Sequence, residues 1–114
     1  MQIQQSSQDT AKVLAPVGRI DQNSAEDFQQ ALQPHLADCT KDASALVLDF
    51  SGVDYISSVG LRVLMLAARQ AKAQGGRIAV ASLQPIVREV FEISRFHLVL
   101  PVFDDVAGAA RGQP

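Results

Sequence analysis

Two aspartates and a pair of adjacent serines lie within residues 49–61, directly after a run of apolar residues. Ser57 and Ser58 stand between the end of an apolar segment and the start of a helical pattern, where unpaired backbone N–H groups collect. Either serine can act as a helix N-cap there, its oxygen accepting one of those N–H bonds. A phosphate of about −1.5 to −2 charges is also well tolerated at a helix N-terminus. Position alone leaves both interpretations open.

The sequence contains no recognised arrangement of catalytic residues. His35 and His97 are isolated from any serine, cysteine or acid in a recognised catalytic arrangement. His35 and Cys39 are four residues apart, but two ligands are too few for a stable zinc site. The chain has no glycine-rich phosphate-binding motif. We therefore expect no enzymatic activity, no cofactor and no metal, and regard Asp21, Asp49 and Asp54 as weak candidates for acid–base chemistry.

Composition narrows the range of partners. The chain has 114 residues, with 10 Lys and Arg against 12 Asp and Glu, a net charge of −2 and one cysteine. This charge balance argues against a domain that binds by neutralising nucleic-acid phosphates or anionic lipid. It is compatible with a protein partner. The amino terminus has no signal-like pattern, and the longest apolar run, residues 63–68, is far short of the ~20 residues that span a bilayer. We expect a cytoplasmic protein with no membrane insertion.

The first half of the chain reads as a hairpin followed by a helix. Residues 1–18 form the predicted hairpin, with strands over 3–8 and 12–18 around a polar turn. Ser24 then resembles a helix N-cap, with apolar residues at helical spacing after it. Pro34 lies inside this pattern and removes one helical hydrogen bond, so we expect a kink or an early stop.

Residues 45–82 read as a strand–helix–strand unit. The pattern predicts a buried strand over 45–50, a loop over 51–57, a helix over 59–74 closed by Gly75 and Gly76, and a second strand over 77–81. Units of this kind place their strands parallel, with a right-handed connection. The fold class is therefore α/β or mixed.

The last third predicts two further helices and a strand. Pro85 suits the first turn of a helix, residues 98–100 form a short strand, and Asp104 and Asp105 open a terminal helix over 106–110. Fraying is expected over residues 108–114.

The helix over 59–74 has two contrasting faces. One is the expected core stripe: Leu61, Leu64, Met65 and Ala68. The other places Leu66 between Arg62 and Arg69. Leu66 either packs under the arginine stems or against a neighbouring helix, or serves as an apolar anchor for a partner.

Two stretches carry a resemblance to a known family. The turn at residues 18–21, Gly-Arg-Ile-Asp, and the segment over 48–64, Leu-Asp-Phe-Ser-Gly-Val-Asp-Tyr-Ile-Ser-Ser-Val-Gly-Leu-Arg-Val-Leu, resemble the STAS domain of bacterial anti-sigma factor antagonists. Residues 87–103 resemble the third helix and following strand of that family, so the likeness covers nearly the whole chain. It implies one STAS domain over 1–114, with a mostly parallel or mixed sheet of four to five strands, an antiparallel N-terminal strand, and helices packed on one side.

The resemblance also implies a switch. In the family, a serine two residues before the glycine is phosphorylated by a partner that is both serine kinase and anti-sigma factor. That serine is Ser58 here; the family often has aspartate at the preceding position, where this chain has Ser57, so Ser57 is a second candidate. Arg95 replaces a glycine that the family commonly has after the third helix.

The implied mechanism is capture of an anti-sigma factor, which frees the sigma factor. Phosphorylation weakens the complex, and a PP2C-type phosphatase resets it. The predicted partner surface comprises Asp21, Asp54, Ser57, Ser58, Val59 and Gly60, together with Arg62, Leu66 and Arg69 from the helical pattern. We expect a monomer or weak dimer.

Three rival functions follow from the same sequence. The first is a STAS accessory subunit that binds the ATPase of an ABC-type lipid transporter and is not regulated by phosphorylation. The second is a two-component receiver, which needs an early acidic pair and a late lysine; this chain has no lysine after Lys72. The third, an enzyme, lacks the nucleophile, base and cofactor signatures.

Overall fold

A computed structural model describes residues 1–112, which contain six β-strands and four α-helices. The strands are β1 (Gln2–Gln8), β2 (Ala11–Ile20), β3 (Leu46–Asp49), β4 (Val53–Ile56), β5 (Ile78–Ala81) and β6 (Val102–Phe103). The helices are α1 (Ala25–Ala37), α2 (Ser58–Ala73), α3 (Pro85–Ile93) and α4 (Val106–Arg111), with a 3₁₀ turn over Phe96–Leu98.

Strand β2 organises the sheet. The strand order is β1-β2-β3-β5-β6, with β4 paired separately to β2. The β1–β2 pair is antiparallel and the other pairs are parallel. The first part of β2 pairs with β3, as in Val13 opposite Val47, and its end pairs with β4, as in Ile20 opposite Ile56. The predicted hairpin and mixed α/β class are confirmed, and β3 and β5 are parallel neighbours as predicted. Within the described residues the sheet has six strands, not the expected four to five, because β4 and β6 also pair.

Strand β4 corrects the loop expected over residues 51–57. Val53 and Ile56 are fully buried, and residues 53–56 pair with the end of β2, which continues two residues beyond the predicted end at Gly18. A four-residue strand carries too little periodicity to be recognised by itself. It forms because β2 is long enough to offer it a free edge.

Both faces of the sheet are covered. Leu48 and Val80 belong to a core with α1, α2 and α3, whereas Val47 and Ala79 pack with Ala109 of α4. Successive side chains of a strand point to opposite faces, so α4 lies across the sheet from the other helices. The expectation that the helices pack on one side therefore holds for α1 to α3 only.

Helix α1 does not stop early at Pro34 but continues to Ala37. The α1 residues Phe28, Leu32 and Leu36 are buried, whereas Pro34 is exposed. Burying Leu36 beyond the proline offsets the hydrogen bond that the proline removes.

The last strand lies later than residues 98–100. Arg95 adopts a left-handed conformation with φ of 56°, which turns the chain directly after α3. Phe96 and Leu100, which both follow Arg95, are buried. Pro101 has no N–H to donate, and its carbonyl accepts from the Val80 N–H at 3.0 Å, so strand pairing begins there and continues in β6.

Helix α4 extends through residues for which fraying was expected. The Asp105 carboxylate accepts from the Gly108 N–H at 2.7 Å as an N-cap, and Ala109 and Ala110 are buried. Residues 108–111 are thus helical, and the expected fraying of 113–114 lies outside the described residues.

The end of α2 is fixed by two glycines, as predicted. Gly75 has φ of 75°, a conformation that glycine adopts without steric cost. A β-carbon at Gly76 would collide with the Cys39 carbonyl oxygen. None of the helices within residues 1–112 is long and apolar enough to cross a membrane.

Candidate functional site

The ends of β2 and β4 bring two loops to the start of α2. Ile20 and Ile56 are register partners, so the residues that follow them, Asp21 and Ser57, emerge side by side. The Ser57 N–H donates to the Ile20 carbonyl at 2.8 Å. The parallel pairing thereby joins the Asp21 loop to the serine pair.

Ser57 and Ser58 have different surroundings. Ser57 is the N-cap of α2, half-buried, and its Oγ accepts from the Gly60 N–H at 3.4 Å. Ser58 is the first residue of the helix and is exposed. Its hydroxyl has no hydrogen-bond partner among residues 1–112. The capping role therefore belongs to Ser57, and the Ser58 hydroxyl is open to solvent.

Gly60 allows α2 to start this close to the sheet. A β-carbon at Gly60 would lie 2.7 Å from the Ile20 Cγ2 and Ile56 Cγ1 atoms, and 3.1 Å from the Ile20 carbonyl oxygen. Real β-carbons essentially never approach other atoms to 2.7 Å. The position therefore requires glycine because of close approach.

The Asp21 carboxylate organises its own loop. One oxygen accepts from the Asn23 N–H at 2.9 Å, and the other from Arg19 Nε at 3.4 Å. The Asn23 hydrogen bond is the main cause that lowers the pKa of Asp21 below its ordinary value, with Arg19 and Ser24 contributing; partial desolvation opposes them. Asp21 is thus an anion held at the surface.

Ser24 does not cap α1 through its side chain as its position suggested. Its Oγ donates to the Arg19 carbonyl at 2.6 Å and accepts from the Asp21 N–H at 3.1 Å. The hydroxyl holds the Asp21 loop closed instead.

Arg19 and Tyr55 lie beside the candidate site residues and were not singled out from the sequence. The Arg19 guanidinium lies 4.2 Å from the centre of the Tyr55 ring, within the range of a cation–π interaction. They are register partners on β2 and β4, and reading residues 51–57 as a loop concealed that pairing. Asp54 is exposed and points to the opposite side of β4.

The remaining predicted residues continue along α2. Val59 is 43% exposed and Leu66 40% exposed, and Arg62 and Arg69 are exposed with no acidic partner within residues 1–112. From residue 58 to residue 69 the surface runs about 16 Å along the helix. Asp21, Ser57, Ser58 and Gly60 thus meet at one end, and Leu66 and Arg69 lie two to three turns away.

Leu66 borders a hollow of about 40 Å³ between α1 and α2. Its lining includes the apolar Leu32 and Leu36 and the polar Gln29, Gln33 and Gln70. Leu66 therefore packs beside a neighbouring helix, as one interpretation held, while keeping a substantial exposed fraction, as the other required.

The isolated histidines and the cysteine are placed apart from this site. Cys39 is buried, its thiol donates to the Arg77 carbonyl at 3.3 Å, and burial raises its pKa. Burial is the main cause that lowers the pKa of His35, and the positive charge of Lys12 lowers it further. Within residues 1–112 no three His, Cys, Asp or Glu side chains are grouped to hold a metal ion.

Known proteins are similar to this chain in sequence and in fold. The family model described as "Mlab, STAS domain" matches residues 3–101. A putative anti-sigma factor antagonist, BtrV of Bordetella bronchiseptica, is 40% identical over 93 residues, which cover 82% of this chain and 78% of the relative.

Solved structures agree. An anti-sigma factor antagonist from Mycobacterium paratuberculosis superposes with a TM-score of 0.82 at 25% identity, over 96% of this chain and 93% of the other. The Bacillus cell fate determinant SpoIIAA in its phosphorylated form has a TM-score of 0.67 at 16% identity, over 98% of this chain and all of the other (100%), and shares the fold. The chain belongs to the STAS domain family, among relatives that are named anti-sigma factor antagonists.

Proposed function

We propose that this protein is an anti-sigma factor antagonist that binds an anti-sigma factor through the surface around the start of α2 and is switched off by phosphorylation of Ser58. The observation that carries the proposal is the exposed hydroxyl of Ser58, at the first position of α2 beside the Asp21 loop. The names of the relatives support the role. They are names of regulators, which supports a binding function rather than an enzymatic one.

The geometry favours Ser58 over Ser57 as the acceptor. A kinase must reach the hydroxyl, and Ser58 is exposed whereas Ser57 is half-buried. Phosphorylation of Ser57 would also esterify the Oγ atom that accepts the hydrogen bond from the Gly60 N–H. Modification at Ser58 leaves that cap in place, so the fold tolerates both states of the switch.

Charge supplies the switching mechanism. A phosphoryl group adds about −1.5 to −2 charges next to the loop of Asp21, which is already an anion of lowered pKa. The N-terminus of α2 stabilises the phosphate within the protein, while a partner shaped for the unmodified surface meets bulk and repulsion. A difference of about 3 kcal/mol suffices for more than a hundredfold loss of affinity.

The partners follow from that mechanism. The proposed kinase is the anti-sigma factor itself, an ATP-binding serine kinase, and a PP2C-type phosphatase restores the hydroxyl. SpoIIAA, which shares the fold, has been solved in a phosphorylated form, and this supports a modifiable state. We place the cycle in the cytoplasm, where sigma factors meet RNA polymerase.

Binding and modification can be measured together. The purified protein is incubated with ATP and a candidate kinase encoded in the same genome, the phosphate is mapped by mass spectrometry, and affinities are measured by calorimetry. We expect phosphate on wild type and on Ser57→Ala but not on Ser58→Ala. We expect Ser58→Asp to bind at least about a hundredfold more weakly than Ser58→Ala.

Two results would contradict the switch. Ser58→Asp binding every candidate as wild type does, with no serine modified, removes phosphorylation from the function. Tight binding to a transporter ATPase that is indifferent to Ser58 variants favours the accessory-subunit alternative.

A further inference from the structure

Exposed apolar side chains are concentrated on α3 and the turn after it. Ile86 is 60% exposed, Ile93 79% and Leu98 72%. Val87 and Phe91, on the opposite side of α3, are buried in the core. Ile86 and Ile93 are seven residues apart, two turns, and so lie on one stripe. Clustered exposed apolar groups of this kind mark interaction sites.

Acidic residues flank this stripe. Glu89 and Glu92 are exposed, and neither has a basic partner among the ion pairs of residues 1–112. We call Ile86, Glu89, Glu92 and Ile93 the α3 ridge. It is an apolar projection with two acids beside it; of the basic residues nearby, Arg88 is paired with Asp104, and Arg95 lies beyond the end of α3.

A surface of opposite character lies on α2. Leu66 lines the hollow between α1 and α2, and Arg62 and Arg69 lie on the same stripe of the helix as Leu66. We call the hollow with Arg62, Leu66 and Arg69 the α2 groove. It is an apolar depression with positive charge beside it.

We propose that the α3 ridge of one molecule docks on the α2 groove of a second copy of this chain. The charges are complementary, and an isoleucine of the ridge packs against the exposed part of Leu66 beside the hollow. The spacing also matches, because Ile86 to Ile93 and Arg62 to Arg69 each span seven residues, about 10 Å of helix. The contact joins two different surfaces, so it either closes into a pair or ring or continues from molecule to molecule.

The contact is weak and depends on salt. Burying the two isoleucines of the ridge contributes about 3–6 kcal/mol, which reaches only the lower end of an association cost of about 4–15 kcal/mol. The exposed charges are screened over about 8 Å at physiological ionic strength. Association therefore grows with protein concentration and weakens with added salt.

Self-association can be tested without the proposed anti-sigma factor, although the two proposed contact surfaces share residues. The α2 groove contains Arg62, Leu66 and Arg69, which also belong to the proposed partner surface. A partner bound there displaces the second copy. Measuring the protein alone keeps failure of this inference distinct from failure of the switch.

Charge reversal tests the pairing directly. Sedimentation velocity is measured over a concentration series at low salt for wild type, for Arg62→Glu/Arg69→Glu and for Glu89→Arg/Glu92→Arg. We expect the wild-type sedimentation coefficient to rise with concentration and each variant alone to stay monomeric. An equal mixture of the two variants should associate again, because each then offers the charge that the other lacks.

Two controls accompany the series. Lys41→Glu/Arg111→Glu makes the same change of net charge as Arg62→Glu/Arg69→Glu, but outside both surfaces, and should associate as wild type does. Ile93→Ala, an exposed position, should weaken association about tenfold, with circular dichroism confirming that it is folded. A wild type that stays monomeric at every concentration, or a mixture that fails to associate, overturns the proposal.

Discussion

The Ser57 and Ser58 hydroxyls are neighbours in the chain, yet only the first contributes to folding. Ser57 Oγ accepts from the Gly60 N–H, and Ser58 faces solvent. We expect Ser57→Ala to lower the free energy of unfolding by about 0.5–1 kcal/mol, the weaker part of the range for lost N-caps because the bond is long. Ser58→Ala should change it by less than about 0.5 kcal/mol. Urea denaturation of the three proteins measures both, and equal losses would contradict the assignment of the cap.

Asp21 makes the loop sensitive to acid. Its hydrogen bonds to Asn23 and Arg19 lower its pKa in the folded protein below the ordinary value of 3.8. The stabilisation is therefore fully present above pH 3.8 and is lost as the pH falls through the folded-state pKa. Asp21→Asn should remove this part of the acid dependence of the thermal midpoint.

Asp54→Asn is the matched control, because its carboxylate makes no hydrogen bond within residues 1–112. Midpoints are measured from pH 7 downward. An Asp21→Asn protein with the same acid dependence as wild type and control would show that the loop does not depend on the carboxylate.

At the scale of elements, Gly60 sets how α2 meets the sheet. Gly60→Ala places a β-carbon 2.7 Å from Ile20 and Ile56 side-chain atoms, and both isoleucines are buried. We expect the first turn of α2 to shift outward, at a cost of about 1–3 kcal/mol, and the nearby binding surface to be distorted.

Val59→Ala is the control, since it trims an exposed side chain in the same turn. Chemical denaturation and the amide chemical shifts of the Asp21 and Ser57–Ser58 loops measure the two effects. Unchanged stability and shifts in Gly60→Ala would show that the close approach is not required.

Elements with strong periodicity or clear terminators could be predicted from the sequence. The β1–β2 hairpin, helix α2 with its glycine end, and helix α3 after Pro85 have such local signals. Strand β4 does not, because its four residues become a strand only by pairing with distant β2. The end of α1 was misplaced for a similar reason: burial of Leu36 outweighs the local penalty of Pro34.

The same division applies to the site. Ser57, Ser58, Gly60 and Asp21 were identified as candidates from the motifs that contain them. Arg19 and Tyr55 were missed, because their contact at 4.2 Å arises from the pairing of β2 with β4. The distinct surroundings of the two serines required knowing which of them begins the helix.

At the scale of the whole molecule, α4 covers the second face of the sheet. Ending the chain after Asp104 exposes the small apolar patch that contains Val13, Val47, Ala79 and Ala81. We expect the thermal midpoint to fall, the free energy of unfolding to drop by about 1–3 kcal/mol, and a dye that binds apolar surface to fluoresce more strongly.

Asp105→Ala separates loss of the helix from loss of its cap. It removes only the 2.7 Å bond to the Gly108 N–H and should cost about 1 kcal/mol. A truncated protein as stable as wild type would mean that the second face needs no cover.

The ten-residue span of β2 also has a consequence for synthesis on the ribosome. Its antiparallel partner β1 precedes it, but its parallel partners lie between residues 46 and 56. At about 5–20 residues per second, the 36 residues between 20 and 56 take about 2–7 s to add. During that interval we expect the nascent hairpin to present an unpaired apolar edge. We therefore expect β2 to be a segment to which chaperones bind.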